Sequence, residues 1–316
     1  MVLPPDEAKR ELGVAVPIKR VSGRSHARLR IAALLAGVSL SAVAAHATDG
    51  TWVGGGPPFP TEWTQGNNWN SATVPDNTAT FTNNSAPASV DISSPATIRT
   101  IQFTSFAPAY FFQNFISLSV NGTGVVNNSS SLPSFLNFGD LTFNNASTAG
   151  NAAITNCSNL FFNGTSTAGN ATISNCGGVV FRGSSTAGNA TITNDGGMVF
   201  LGSSTAGNAA IINNVNLSFA RSSTAGNATI TNANGAILNF VDTTTAGNAT
   251  IISDGRLSFA FNSTAANATI ITNAGQGTTF SDNSTGGNAR LITNAGGVVD
   301  FSGSLGPAGD GKITAG

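Results

Sequence analysis

The sequence predicts an all-β fold, a parallel β-solenoid (β-helix) with about 19 to 21 residues per coil, on three observations. The phrase Ser-Thr-Ala-Gly-Asn-Ala-Thr-Ile-Thr-Asn, or a near copy, recurs eight times between Ser147 and Asn294. Its central asparagine falls at Asn151, Asn170, Asn189, Asn208, Asn227, Asn248, Asn267 and Asn288, in steps of 19 or 21 residues. A phenylalanine keeps the same step at Phe143, Phe162, Phe181, Phe200, Phe219, Phe240, Phe259, Phe280 and Phe301. Self-similarity at such a fixed period is the mark of a stacked repeat, in which each unit touches its neighbours and no single unit can bury its own apolar face. A helical repeat is disfavoured, because every unit is dense in Gly, Asn, Thr and Ser and lacks a 3.6-residue period.

Each unit divides into strands and turns. In Asn170–Ser174 the period of two puts Ala171 and Ile173 on one face and Thr172 and Ser174 on the other. The apolar pair recurs from Ala190/Ile192 through Ala289/Leu291 and is assigned to the interior. After an Asn-Cys-Gly-Gly or Asn-Asp-Gly-Gly turn, a second strand carries Val179/Phe181, Met198/Phe200, Leu217/Phe219, Leu238/Phe240 and Leu257/Phe259, also inward. The Ser-Ser-Thr-Ala-Gly stretch then turns the chain back. The asparagine column beginning at Asn151 is expected to be a ladder at a turn, with amides hydrogen-bonded along the stack so that their burial is compensated.

Three segments follow. Residues 1–47 read as an export signal: seven of the 13 basic residues and both histidines lie there, with an apolar run from Ile31 to Ala45 and the small-x-small sequence Ala45-His46-Ala47. Cleavage is expected after Ala47, with an uncleaved anchor as the alternative. The run is short for a membrane span, and no twin arginine precedes it, which favours the general export route. Residues 48–145, richer in aromatics, are expected to hold an N-terminal cap and irregular coils, and residues 146–316 the regular repeats. The chain reaches Gly316 soon after the last Phe rung without a recognisable cap, so a longer natural protein is one expectation.

Composition narrows function mainly by exclusion. From Thr48 onward six basic residues face eleven acidic ones, a net charge of −5 (6 − 11), which gives nucleic acid no electrostatic footprint. The absence of histidine from that stretch removes the commonest general base and most zinc sites. Asp195 and Asp254 share a turn phase but lie three coils apart, about 14 Å, too far for a glycosidase pair. Asp242, Asp282 and Asp300 sit at other phases. No Gly-Gly-x-Gly-x-Asp loop is present for calcium, so no cofactor or metal site is expected. The Asn-Ala-Thr matches to the glycosylation sequon are attributed to the repeat. Cys157 and Cys176, one repeat apart, are close enough in a stack for a disulfide; free thiols at a tolerant turn position are the preferred expectation.

The repeated Ser-Thr-Ala-Gly-Asn-Ala-Thr-Ile, the opening Trp52…Trp63…Asn68-Trp69…Val74-Pro75-Asp76…Ala79-Thr80-Phe81 and the long basic leader resemble the repeat-bearing passenger regions of bacterial autotransporter-type surface proteins. The resemblance covers roughly residues 48–316. It implies export through the inner-membrane machinery and display or release at the cell surface through an outer-membrane β-barrel. No run of ten-residue amphipathic strands follows the solenoid, so a truncated gene or a barrel supplied by a partner chain is implied.

The expected function is therefore a non-enzymatic exported surface protein, a β-solenoid stalk or adhesin-like passenger, with surface glycans or host proteins as partners. The alternative is a carbohydrate-binding or polysaccharide-acting solenoid with Trp63, Trp69 and Tyr110 as sugar-stacking rings, set against their packing in a cap. A remoter alternative is an ice-binding threonine face, carried by Thr191/Thr193 and Thr229/Thr231 but interrupted by Ala210/Ile212 and Arg290/Ile292.

Overall fold

One repeat folds into one coil. In the computed structural model, which describes residues 47–84, 88–275 and 277–306, the segment Thr172–Asn175 forms a strand with Ile173 and Asn175 buried. The chain turns at Cys176-Gly177 and runs back as Gly178–Phe181, burying Val179 and Phe181. One coil later Thr191 lies beside Thr172, Ile192 beside Ile173, Met198 beside Val179 and Phe200 beside Phe181, all in parallel register. Repetition of this step builds a 13-stranded and an 11-stranded parallel sheet, the second counting about one strand per coil. The predicted leader lies outside the described residues, apart from Ala47.

A third column was hidden in the segment read only as a return turn. Thr148, Thr167, Thr186, Thr205, Thr224, Thr245, Thr264 and Thr285 form an unbroken series of parallel bridges. Each of these hydroxyls except the last also accepts the N–H two residues on, as Thr167 Oγ1 does from Gly169 at 2.9 Å, which fixes the following turn. Gly169 itself has φ 63, and a Cβ there would meet the carbonyl oxygen of Gly150 at 2.7 Å, so glycine suits this tight corner. The alanine between Thr and Gly points inward: Ala168, Ala187, Ala206 and Ala225 are fully buried.

The core is a set of columns. From Phe143 to Phe301 successive rings stack with centroids 4.3–5.2 Å apart and planes within 7° of parallel. Isolated aromatic pairs favour offset or edge-to-face geometry, but here the backbone ladder fixes the separation near the strand spacing. The first coils are less regular. On the side of the preceding coil Phe143 stands beside Val120 rather than another ring, and a register shift between Ile98 and Thr100 interrupts the column. Both sheets nevertheless run unbroken through residue 145, so the boundary expected there is a change in regularity within one stack. Below Phe81, Trp52, Trp63 and Trp69 meet edge to face at 4.9–5.1 Å and close the apolar end.

Two asparagine ladders run along the stack. The expected column is bonded from Asn170 to Asn288 at 3.0–3.4 Å, each amide nitrogen donating to the oxygen one coil earlier. The expectation that burial makes it necessary is corrected, because Asn170 to Asn288 in this column are exposed, and no bond joins Asn170 to Asn151. The buried ladder is a different one: Asn114, Asn137, Asn156, Asn175, Asn194, Asn213 and Asn232, at the ends of the strands of the 11-stranded sheet. Each donates to the next coil's amide oxygen at 2.6–2.8 Å, the last instead to Ser253 Oγ at 3.1 Å, and each also reaches a backbone carbonyl, as Asn156 Nδ2 does to Gly178 O at 3.0 Å.

The preference for free thiols is also corrected. Cys157 and Cys176 form a disulfide, with Cα atoms 4.8 Å apart. They sit at the exposed corner just beyond the strand ends, where the side chains are not held to the common outward direction of in-register strand neighbours.

Two mutational contrasts test this packing. Phe200→Ala is expected to cost about 3–5 kcal/mol by emptying a packed site, and Thr191→Ala, on the exposed face, less than about 1 kcal/mol. Equal losses in denaturant melts would contradict the assignment of inside and outside. Asn194→Ala removes the donor to Asn213 and to the carbonyl of Asn216 and should cost about 2 kcal/mol, as buried polar groups lose partners. Asn208→Ala in the exposed ladder should cost less than about 1 kcal/mol; if the two match, burial is not what gives the inner ladder its weight.

Candidate functional site

The rings proposed to stack on sugars face the wrong way for that role. Trp63, Trp69 and Tyr110 are 0–2 % exposed. Trp69 donates its indole N–H to the carbonyl of Trp63 at 2.8 Å, Tyr110 donates its hydroxyl to Thr82 O at 2.8 Å, and all three rings pack on Phe81. These side chains cover the first coil, so the stacking assignment is corrected to cap packing.

The irregular coils do present other rings. Phe59, Phe106, Phe111, Phe115 and Phe138 are 38–79 % exposed, whereas the regular coils expose only Phe261 among their described phenylalanines to that degree. Phe115 and Phe138 stack at a corner with centroids 6.0 Å apart, and the exposed Ile116 follows directly. Sequence reasoning missed this pair because the two rings lie 23 residues apart in the irregular coils, off the 19- or 21-residue step that marks the regular columns. Phe115 and Phe138 follow Asn114 and Asn137, in the phase later held by Cys157, Cys176 and Asp195. That phase, a corner in every later coil, was the available signal.

The acidic groups are dispersed and engaged. Asp195 accepts from Asn214, and Asp254 from Asn273, both at 2.7 Å. Asp242 and Asp282 cap backbone N–H groups. Asp300 is fully exposed, and the N–H of Ser302 holds its carboxyl below the ordinary range. The fold does bring Glu62 and Asp91 onto neighbouring bridged positions, a pair the spacing did not reveal. Both carboxylates are occupied: Glu62 by Thr64 and Ser93, Asp91 by Thr61 and Gln113. Their bonds fasten the cap to the first coils.

The outward threonines remain a broken array, since the register places Thr191 and Thr193 beside Ala210 and Ile212. Among the described residues no group of three or more His, Cys, Asp or Glu side chains is arranged to hold a metal ion. Comparison of the chain with protein-family models, with curated proteins and with solved structures finds no match.

Proposed function

We propose that the chain is an exported, non-enzymatic surface protein whose β-solenoid acts as a stalk or adhesin-like passenger, with an outer-membrane β-barrel as its expected partner in display. The observation that carries this reading is the in-register stack itself. Residue after residue is matched to its own equivalent one coil away, which suits a load-bearing spacer and leaves corners free to vary. The start of the stack supports the expected processing. Thr48 N lies 2.5 Å from Asp76 Oδ1. Cleavage after Ala47 would turn that N–H into an ammonium facing a carboxylate, a stronger pair than an amide makes.

A second reading, carbohydrate binding, is favoured by the exposed Phe115/Phe138 stack, because an aromatic face is an apolar platform for the C–H faces of sugars. A glycan array and a polysaccharide-hydrolysis screen separate the readings: the stalk reading expects no bond cleavage, and turnover of any polysaccharide contradicts it. Mass spectrometry of exported protein is expected to find Thr48 at the N-terminus. Exported material that retains residues 31–47 would show an anchored protein instead.

A further inference from the structure

Of the six basic residues after Ala47, Arg182 and Arg221 line one surface groove together with Gly183, Leu201 and Gly202. The groove lies at the corner that follows Phe181, Phe200 and Phe219, each the last residue of its strand. One position past these rings come Arg182, Leu201 and Ala220, and two positions past come Gly183, Gly202 and Arg221. The last three are all left-handed, with φ of 72°, 71° and 65°. Both arginines are exposed, and among the described residues neither guanidinium has an ion pair or hydrogen-bond partner; Arg182 lies over the ring of Phe161 at 5.2 Å.

The protein supplies its own picture of what such a corner accepts. Asp242, one coil beyond Arg221 at the same phase, takes the N–H of Arg221 on Oδ2 at 2.8 Å. Asp282 takes the N–H of Phe261 in the same way at 3.1 Å. A carboxylate from the next coil thus fills the place in front of a left-handed corner N–H. Gly183 and Gly202 have no such neighbour, since the next coils bring Gly202 and Arg221. Among the described residues neither glycine N–H has an acceptor.

We propose that this groove binds carboxylate groups of a linear acidic glycan. A sugar carboxylate takes the position at Gly183 that Asp242 takes at Arg221, beside Gly202, to which the next coil brings Arg221. Arg182 and Arg221 balance its charge, since paired guanidinium–carboxylate contacts are among the stronger polar interactions. The arginines stand two coils apart, about 9.6 Å along the stack. They therefore match an extended chain with successive charges better than one isolated anion, and Leu201 between them offers an apolar floor. With a net charge of −5 over residues 48–316, long-range attraction does not favour a polyanion. Recognition is local. The proposal rests on the surface-protein reading only for a glycan as the source of the carboxylate.

The test measures binding of oligogalacturonate, a heparin-derived oligosaccharide and a neutral maltooligosaccharide to the full chain at low salt. Oligogalacturonate should bind more tightly than the other two and shift the Gly183 and Gly202 amide resonances. The double variant Arg182→Ala/Arg221→Ala should weaken it about tenfold or more. Gly202→Asp introduces a residue that the equivalent positions of Asp242 and Asp282 already accommodate, and its carboxylate should occupy the Gly183 N–H. That variant should keep the wild-type melting temperature and lose binding. The site is overturned if oligogalacturonate does not bind, or binds equally to wild type and both variants. Preference for the sulfated probe overturns the carboxylate assignment, and acetate shifting the two amides as strongly as the oligomer overturns the glycan. None of these outcomes touches the N-terminal mass or the hydrolysis screen, so the stalk reading is judged separately.

Discussion

In-register stacking at the strand spacing is the constraint on which the rest of this structure depends. When coil follows coil with identical phase, nearly every side chain meets its own kind roughly 4.8 Å away. Only residues that tolerate themselves as neighbours suit such a position. Phenylalanine stacks on phenylalanine and isoleucine packs on isoleucine. Asparagine carries both donor and acceptor on one amide, so a column of it satisfies itself indefinitely. A column of like charges would instead add about 1 kcal/mol of repulsion per step even in water. The chain's low charged content, 9 %, follows from this rule. Where an aspartate does enter the stack, it is given a donor from an adjacent coil: Asn214 donates to Asp195 from the next coil, and the backbone N–H of Arg221 donates to Asp242 from the preceding one.

The period, the strands and the inward faces were legible because they repeat. Ala171, Ile173, Val179 and Phe181 alternate with polar residues, and alternation reports burial directly. The inner asparagine ladder was not legible, although Asn156, Asn175 and Asn194 keep the same 19-residue step as the outer one. Asparagine before Cys-Gly or Asp-Gly reads as a turn former, and local sequence cannot reveal that its amide swings into the core. The Thr148-to-Thr285 bridges were hidden for a related reason: a single bridged residue is too short for period-two alternation.

The site expectations fared less well because they depended on what lies across the coil. Trp63, Trp69 and Tyr110 stand in the irregular segment, where no neighbouring repeat states which face is inside. The terminal coil needs an apolar lid, and these large rings answer that need. The rings left at the surface, Phe115 and Phe138, occupy a phase that later coils give to cysteine and aspartate. A corner can exchange aromatic, thiol and acid without disturbing the ladder. The Cys157–Cys176 disulfide and the Arg182/Arg221 groove are corner features too. Variation at corners over an invariant core is how such a stack acquires individual surfaces.

The central claim, that one repeat is one coil held by self-matching columns, is tested most directly by cutting the stack in and out of phase. Deleting Asn189–Gly226 removes two 19-residue periods, rejoins Gly188 to Asn227 and leaves both cysteines in place. Circular dichroism and denaturant melting should find the β signal and a cooperative transition retained, because nearest-neighbour interfaces add along the stack. Deleting residues 189–217 instead joins Gly188 to Ser218, sets polar residues against the Phe and Ile columns and should cause misfolding or aggregation. If both deletions fold equally well, or both collapse, the one-repeat-per-coil account is contradicted.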